Sequence, residues 1–263
     1  MTDDGVWVDD PLLYPKRGSS RGWPRFRLPF FWRYRKWSMC RTPATEYRTT
    51  AVGDSDPFPE KVRDRARTLG ETVQRSVVRI LTDSGGGTGW IIDSGYILTN
   101  SHIVQEAASV AIETFDNRTG MATRVGFHRD LFPDIALLKT DLETPPPLSL
   151  ARNAHPSLND ELLAVGHPKM VGDWVISLGR YDRYNPHSDW IEATIPIGDG
   201  NSGSPLLMMD GDVIGCVNGT TRENHTIARE NRPKTVYTTF PRRLTVATAT
   251  PADTITKWVS RWR

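Results

Sequence analysis

Short runs of Val, Ile and Leu, broken by Gly, Asp and Asn, set the pattern of this chain from residue 76 onward. A first series reads SVVRILT (76–82), TGWIID (88–93), GYILT (95–99), SVAIET (109–114), TRVGFH (123–128) and DIALLK (134–139). A second follows the joint Pro145-Pro146-Pro147: ELLAVG (161–166), DWVISLGRY (173–181), WIEAT (190–194), PLLMM (205–209), DVIGCVN (212–218) and KTVYTT (234–239). Runs of this length, rich in β-branched residues and bounded by turn formers, predict strands. Their spacing predicts an all-β barrel or sandwich, and six on each side of a joint suggest two similar barrels.

Two stretches carry the helical period instead. EKVRDRARTLGETVQRSV, from Glu60, places Val62, Ala66, Leu69 and Val73 on one face. PADTITKWVSRWR closes the chain with Ile255, Trp258, Val259 and Trp262 at helical spacing and Asp253 in the first turn. Residues 1–57 keep no apolar period and are punctuated by Pro11, Pro15, Pro24, Pro29, Pro43 and Pro57. The expected organisation is an N-terminal arm over 1–57 and a folded body over 58–263. Within the body we place a first barrel at about 72–144, a second at about 150–245 and a helix at about 252–262.

Composition narrows the class. The chain has 263 residues, 38% hydrophobic and 24% charged, an ordinary globular balance. No run of apolar residues is long enough for a transmembrane helix. The start, MTDDGVWVDD, is acidic and lacks the apolar core of a Sec-type signal peptide. Both features favour a cytoplasmic or peripherally membrane-associated protein. With only Cys40 and Cys216, a disulfide-stapled fold is excluded, while one bridge or two thiols both stay open.

The net charge of +2 conceals an asymmetry. Residues 16–41 hold nine Lys or Arg and no acid, so the remainder is acidic at −7. Seven aromatics lie among these cations between Trp23 and Trp37. Such a segment suits an anionic membrane or a nucleic acid. A solvated tail or an arm packed on the body is the plainer alternative, and Pro24 and Pro29 break any regular amphipathic helix.

Three stretches carry candidate chemistry. In Gly198-Asp199-Gly200-Asn201-Ser202-Gly203-Ser204-Pro205, small residues flank one serine and permit a sharply folded loop. Such a loop can aim consecutive backbone N–H groups at one point, as an oxyanion hole requires. A polar turn ahead of a strand would use the same residue types. A serine hydroxyl needs a base, and His102 follows a β-like segment in YILTNSHIV (96–104). An imidazole base needs an acceptor to fix its tautomer, and Asp134 heads the apolar strand DIALLK. His128, His155, His167, His187 and His225 stand in no comparably defined setting.

Together the three stretches resemble the trypsin-like (chymotrypsin-fold) serine proteases, in the order His, Asp, Ser. LTNSHIV resembles the family's histidine motif in HtrA-like form, and DIALLK its aspartate motif. GNSGSP is similar to the serine motif common among glutamyl endopeptidases, and GGGTGWIIDSGYILTN resembles the glycine-rich run into the first barrel. The resemblance implies two six-stranded antiparallel β-barrels with an active site between them. It implies His102 as general base, Asp134 as its orienting group and Ser202 as nucleophile. The oxyanion-hole donors would be the N–H groups of Gly200 and Ser202. The implied reaction is peptide hydrolysis through an acyl-enzyme, with polypeptide substrates and neither a metal nor an organic cofactor.

Departures limit the resemblance. Sixty-one residues follow Ser202, so no PDZ domain and no PDZ-mediated partner is expected. Ser204 stands where the family more often has glycine. Pro196 occupies the position of the trypsin-type pocket acid, which argues against Arg/Lys specificity. The primary pocket would be lined by Pro196, Val217, Asn218 and Gly219. No histidine stands in that strand to meet a substrate carboxylate, so small or medium apolar side chains are expected there. The alternatives are a non-catalytic or self-processing module acting by protein binding, and a protein tethered to membrane or nucleic acid through its arm.

Overall fold

A computed structural model describes residues 47–49, 58–83, 85–129, 132–169, 172–220 and 246–263. Its first strand, β1 (Tyr47–Thr49), runs parallel to part of a later one. The next six are β2 (Val77–Thr82), β3 (Gly85–Asp93), β4 (Tyr96–Thr99), β5 (Ser109–Thr114), β6 (Thr119–Phe127) and β7 (Ala136–Thr140). They close into an antiparallel barrel in the order β2-β3-β4-β7-β6-β5. Each of the six runs of the first series supplies one of these strands.

The second barrel is built from β8 (Glu161–Gly166), β9 (Val175–Asn185), β10 (Trp190–Thr194), β11 (Pro205–Met208), β12 (Val213–Thr220) and β13 (Val246–Pro251). The sheet runs β9-β10-β13-β12-β11-β8, and pairing of β8 with β9 closes it. The long strand β9 makes closure feasible. Residues 175–180 pair with β8 and 180–185 with β10. β1 lies along Ile176–Leu178 of the same strand.

One expectation changes here. The run KTVYTT lies outside the described residues, and the sixth strand is Val246–Pro251, beyond the expected barrel limit near 245. Its sequence VATATP has little apolar contrast. Ala247 and Ala249 nevertheless join the second barrel's core, while Thr248 and Thr250 bond to β12. Cys216 is a buried free thiol, and Cys40 lies outside the described residues. The basic, aromatic segment 16–41 lies outside them as well.

Burial explains why the strands read as continuous apolar runs. Val78, Ile80, Ile91, Ile97, Ile112 and Leu138 fill the first barrel, and Leu162, Ala164, Ile191, Leu206, Ile214 and Val217 the second. The opposite faces supply a third cluster containing Trp90, Leu98, Leu137, Leu163, Ile176 and Leu207. Strands buried on both faces lose the simple inside–outside alternation. Two helices join this third cluster. Helix α1 (Glu60–Val73) contributes Ala66 and Val73. A one-turn helix, α2 (Ser101–Val104), follows β4. The terminal helix α3 (Ala252–Trp262) contributes Ile255 and Val259, with Trp258 and Trp262 packed alongside. These are the faces that the helical spacing predicts.

Candidate active site

His102 and Asp134 are brought together by strand register. β4 and β7 pair with Thr99 opposite Ala136, so residues 100–102 meet residues 134–135 just beyond the strand ends. Asn100 is extended (φ −90°, ψ 151°) and turns the chain into α2, which carries His102. The His102 backbone N–H donates to Asp134 Oδ1 at 3.0 Å, and His102 Nδ1 lies 2.5 Å from Asp134 Oδ2. Both carboxylate oxygens are thereby committed to one residue. Ser101 Oγ donates to Ile135 O at 2.6 Å and accepts from His128 N at 2.9 Å, clamping the two segments. The Asp134 side chain is 12% exposed and the His102 side chain 36%, so the acid is shielded and the imidazole reaches solvent. A proton held on Nδ1 by the carboxylate leaves Nε2 as an acceptor.

Ser202 lies in the connection between β10 and β11, which backbone bonds fold tightly. Asn201 N donates to Gly198 O and Ser204 N to Asn201 O. Gly203 N donates to Val217 O at 2.8 Å, and Val217 N returns to Ser204 O at 2.9 Å, fastening the loop to β12. The first barrel holds its other side. Thr88 N donates to Ser202 O at 2.8 Å, and Thr88 Oγ1 to Gly200 O at 2.8 Å. Gly200 (φ 100°) and Gly203 (φ 85°) adopt left-handed conformations, and a Cβ on either would strike a backbone carbonyl, of His167 or Thr88 respectively. This is the physical reason for glycine at both positions. The N–H groups of Gly200 and Ser202 have no acceptor among the described residues, whereas Asn201, Gly203 and Ser204 are all engaged. Two free amides beside one serine have the chemistry of an anion-stabilising pair.

The Ser202 hydroxyl donates to Asn218 O at 3.2 Å. Asn218 is half-buried, and its Oδ1 accepts from Asn100 Nδ2 (3.2 Å) and Thr250 Oγ1 (3.1 Å). Gly219 is half-buried and its carbonyl accepts from Thr248 Oγ1. Pro196 is buried. Val217 departs from the expected pocket lining: its side chain is fully buried in the second barrel's core, so only its backbone faces the serine loop. Asn100 and Thr88 are neighbours of the candidate site that sequence reasoning passed over. Asn100 sits inside the quoted histidine motif, but an asparagine between a strand and a helix reads as a helix cap. Its side chain makes no cap bond here.

Buried charge lies on one side of the loop, where Arg79 and Asp173 line a cleft with Gly200. Arg79, 6% exposed, pairs with Glu113 and donates to Asp173 Oδ2 at 2.7 Å. His167 packs against Trp174, and burial, helped by the Arg79 cation, pushes its pKa down to about 3. It is therefore a neutral core residue. Lys169 N donates to Asp199 O at 2.8 Å, so Lys169 props the serine loop. The Cys216 thiol is pushed up by burial first and by the Asp134 carboxylate second, which keeps it neutral.

Comparison with known proteins agrees with this fold. The family described as "Trypsin-like peptidase domain" matches residues 87–216. A probable periplasmic DegP-like serine endoprotease of Halomonas elongata is 32% identical over 135 residues, 49% of this chain and 28% of that protein. A protein of the same description from Chlamydia pneumoniae is 33% identical over 136 residues, with the same shares. The chain thus spans little more than a quarter of the length of these relatives. The serine endoprotease of Yersinia pestis superposes with a TM-score of 0.60 at 22% identity, over 79% of this chain and 68% of that one. The relatives correct one expectation: they are named periplasmic, which overturns the cytoplasmic or peripheral-membrane assignment drawn from the acidic N-terminus. Fold, motif order and the matched segment converge: residues 87–216 match the trypsin-like peptidase domain, and the chain has a two-barrel fold similar to that of the Yersinia pestis endoprotease.

Proposed function

We propose that this chain is a serine endopeptidase that cleaves polypeptides through Ser202, His102 and Asp134. The observation that carries the reading is the two-point grip of Asp134 on His102, through the backbone N–H and through Nδ1. That grip fixes the tautomer whose Nε2 accepts a proton. In the resting arrangement the Ser202 hydroxyl rests on Asn218 O. A neutral bond of this kind contributes about 1 kcal/mol net, so turning the hydroxyl toward His102 costs little. His102 takes the hydroxyl proton as Ser202 Oγ bonds to the scissile carbonyl carbon, and the carbonyl oxygen gains charge between the amides of Gly200 and Ser202. The C–N bond then breaks, with His102 returning the proton to the leaving amine. Water repeats the sequence on the ester and frees Ser202.

Pro196, in place of a pocket acid, favours small or medium apolar side chains over Arg and Lys at the bond cleaved. The relatives' names support a periplasmic site of action. Contact of residues 16–41 with an anionic surface belongs to the proposal on composition alone, and co-sedimentation of the chain with and without residues 1–50 on anionic vesicles tests it. The test of the main reading is hydrolysis of an unfolded protein substrate by the full chain and by Ser202→Ala. Cleavage by the first and none by the second is expected, and equal cleavage overturns it.

A further inference from the structure

We propose that Asn100 is a positioning residue that holds the His102–Asp134 pair in register with Ser202 across the two barrels, an inference that rests on the endopeptidase reading. Asn100 is completely buried. Its Nδ2 is ringed by three acceptors: Asp134 O at 2.7 Å, Asn218 Oδ1 at 3.2 Å and Cys216 Sγ at 3.6 Å. That ring fixes the amide orientation, because the opposite flip would set a carbonyl oxygen against Asp134 O and Asn218 Oδ1. Asp134 belongs to the first barrel and Asn218 to the second. The same Asn218 accepts the Ser202 hydroxyl on its carbonyl oxygen. A continuous path therefore runs from the backbone of the acid, through one amide group, to the residue on which the nucleophile rests.

Position along the chain strengthens the case. Asn100 is two residues from His102, and its neighbour Ser101 grips Ile135 O. Removing the amide leaves the Ser101 clamp and the strand pairing intact, so the barrels stay closed. What is lost is the amide's link from Asp134 O to Asn218 Oδ1. Asn100 touches no reacting atom, and its effect must pass through Asp134 and Asn218. A shift of a few tenths of an ångström there misaligns the hydroxyl and the imidazole. Misplacement by an ångström costs about a hundredfold in such reactions.

The experiment compares the full chain with Asn100→Ala, Asn218→Ala and the double variant. Thermal melts report folding, steady-state hydrolysis of a peptide substrate reports kcat and KM, and proton NMR follows the His102 Nδ1–H resonance. Asn100→Ala is expected to lower kcat about 10- to 100-fold with KM within about twofold, and to move or broaden the Nδ1–H signal. The double variant should be no slower than the worse single one, because both substitutions break the same path. Folded Asn100→Ala with unchanged kcat and an unchanged resonance overturns the proposal, as does full additivity. Should Asn100→Ala fail to fold, Asn218→Ala carries the same kinetic and NMR readouts, and a parental result there overturns the proposal too. A full chain that hydrolyses nothing refutes the endopeptidase reading instead. The NMR signal still reports on Asn100 in that event.

Discussion

Asp134→Asn separates the role of geometry from that of charge, and the structure dictates how the amide must sit. The two carboxylate oxygens differ in what they face. Oδ1 accepts the His102 backbone N–H at 3.0 Å. An N–H donor tolerates only an acceptor, so the amide oxygen must take this position. The alternative flip loses that bond and leaves a shielded donor unpaired, at about 1–3 kcal/mol. The amide NH2 then falls at the Oδ2 position, 2.5 Å from His102 Nδ1 in the parent. Facing a donor, Nδ1 has to accept, and the imidazole proton moves to Nε2. The nitrogen meant to take the Ser202 proton now carries one. In the general triad template this tautomer error costs about 10⁴ in kcat, equivalent to about 5 kcal/mol of lost transition-state stabilisation. Since no substrate-binding group changes, KM should stay within a few-fold. The assay is steady-state peptide hydrolysis beside a thermal melt. A folded variant that loses less than about tenfold would refute the assignment of Asp134 as the orienting group.

Other outcomes follow from the same geometry. Gly203→Ala should cost several kcal/mol in stability and most of the activity. Its positive φ is strained for alanine, and the Cβ meets the carbonyl of Thr88, the residue whose N–H holds Ser202 O; an unchanged denaturation midpoint contradicts this. His167 is buried neutral with its pKa near 3 against 6.5 for an ordinary histidine. The unfolded chain therefore takes up a proton below about pH 6.5 that the fold refuses, and stability falls as pH drops toward 3. Between pH 6.5 and 5 the share due to His167 is about 2 kcal/mol. Urea titrations of His167→Leu should show a correspondingly shallower loss, and an identical slope would remove the assignment. Cys216, buried and held neutral, should resist alkylation in the folded protein and react on unfolding. Mass spectrometry after brief iodoacetamide treatment decides it, and rapid native alkylation would contradict the burial.

What the sequence made legible follows from what it encodes locally. The β-branched runs of the first barrel, the helical faces of α1 and α3 and the histidine, aspartate and serine stretches are contiguous signals. They identify where each triad candidate sits on its own strand or loop. Strand β13 escaped because VATATP alternates alanine with threonine, and its apolar face emerges only when Ala247 and Ala249 meet the other strands. Val217 looked like a pocket residue by its place in β12, but the side-chain direction of a strand depends on a register that the sequence leaves open. Thr88 and Asn100 bond to partners 112 and 118 residues away, so no local pattern marks them.

The central claim is that one serine in this fold is activated. A fluorophosphonate reacts with an activated serine and spares ordinary hydroxyls, so the full chain should be labelled with probe and digested for peptide mass mapping. A single adduct on Ser202, lost in Ser202→Ala and strongly reduced in His102→Ala, is the predicted result. A folded protein that takes no label, or takes it at another serine, contradicts the account.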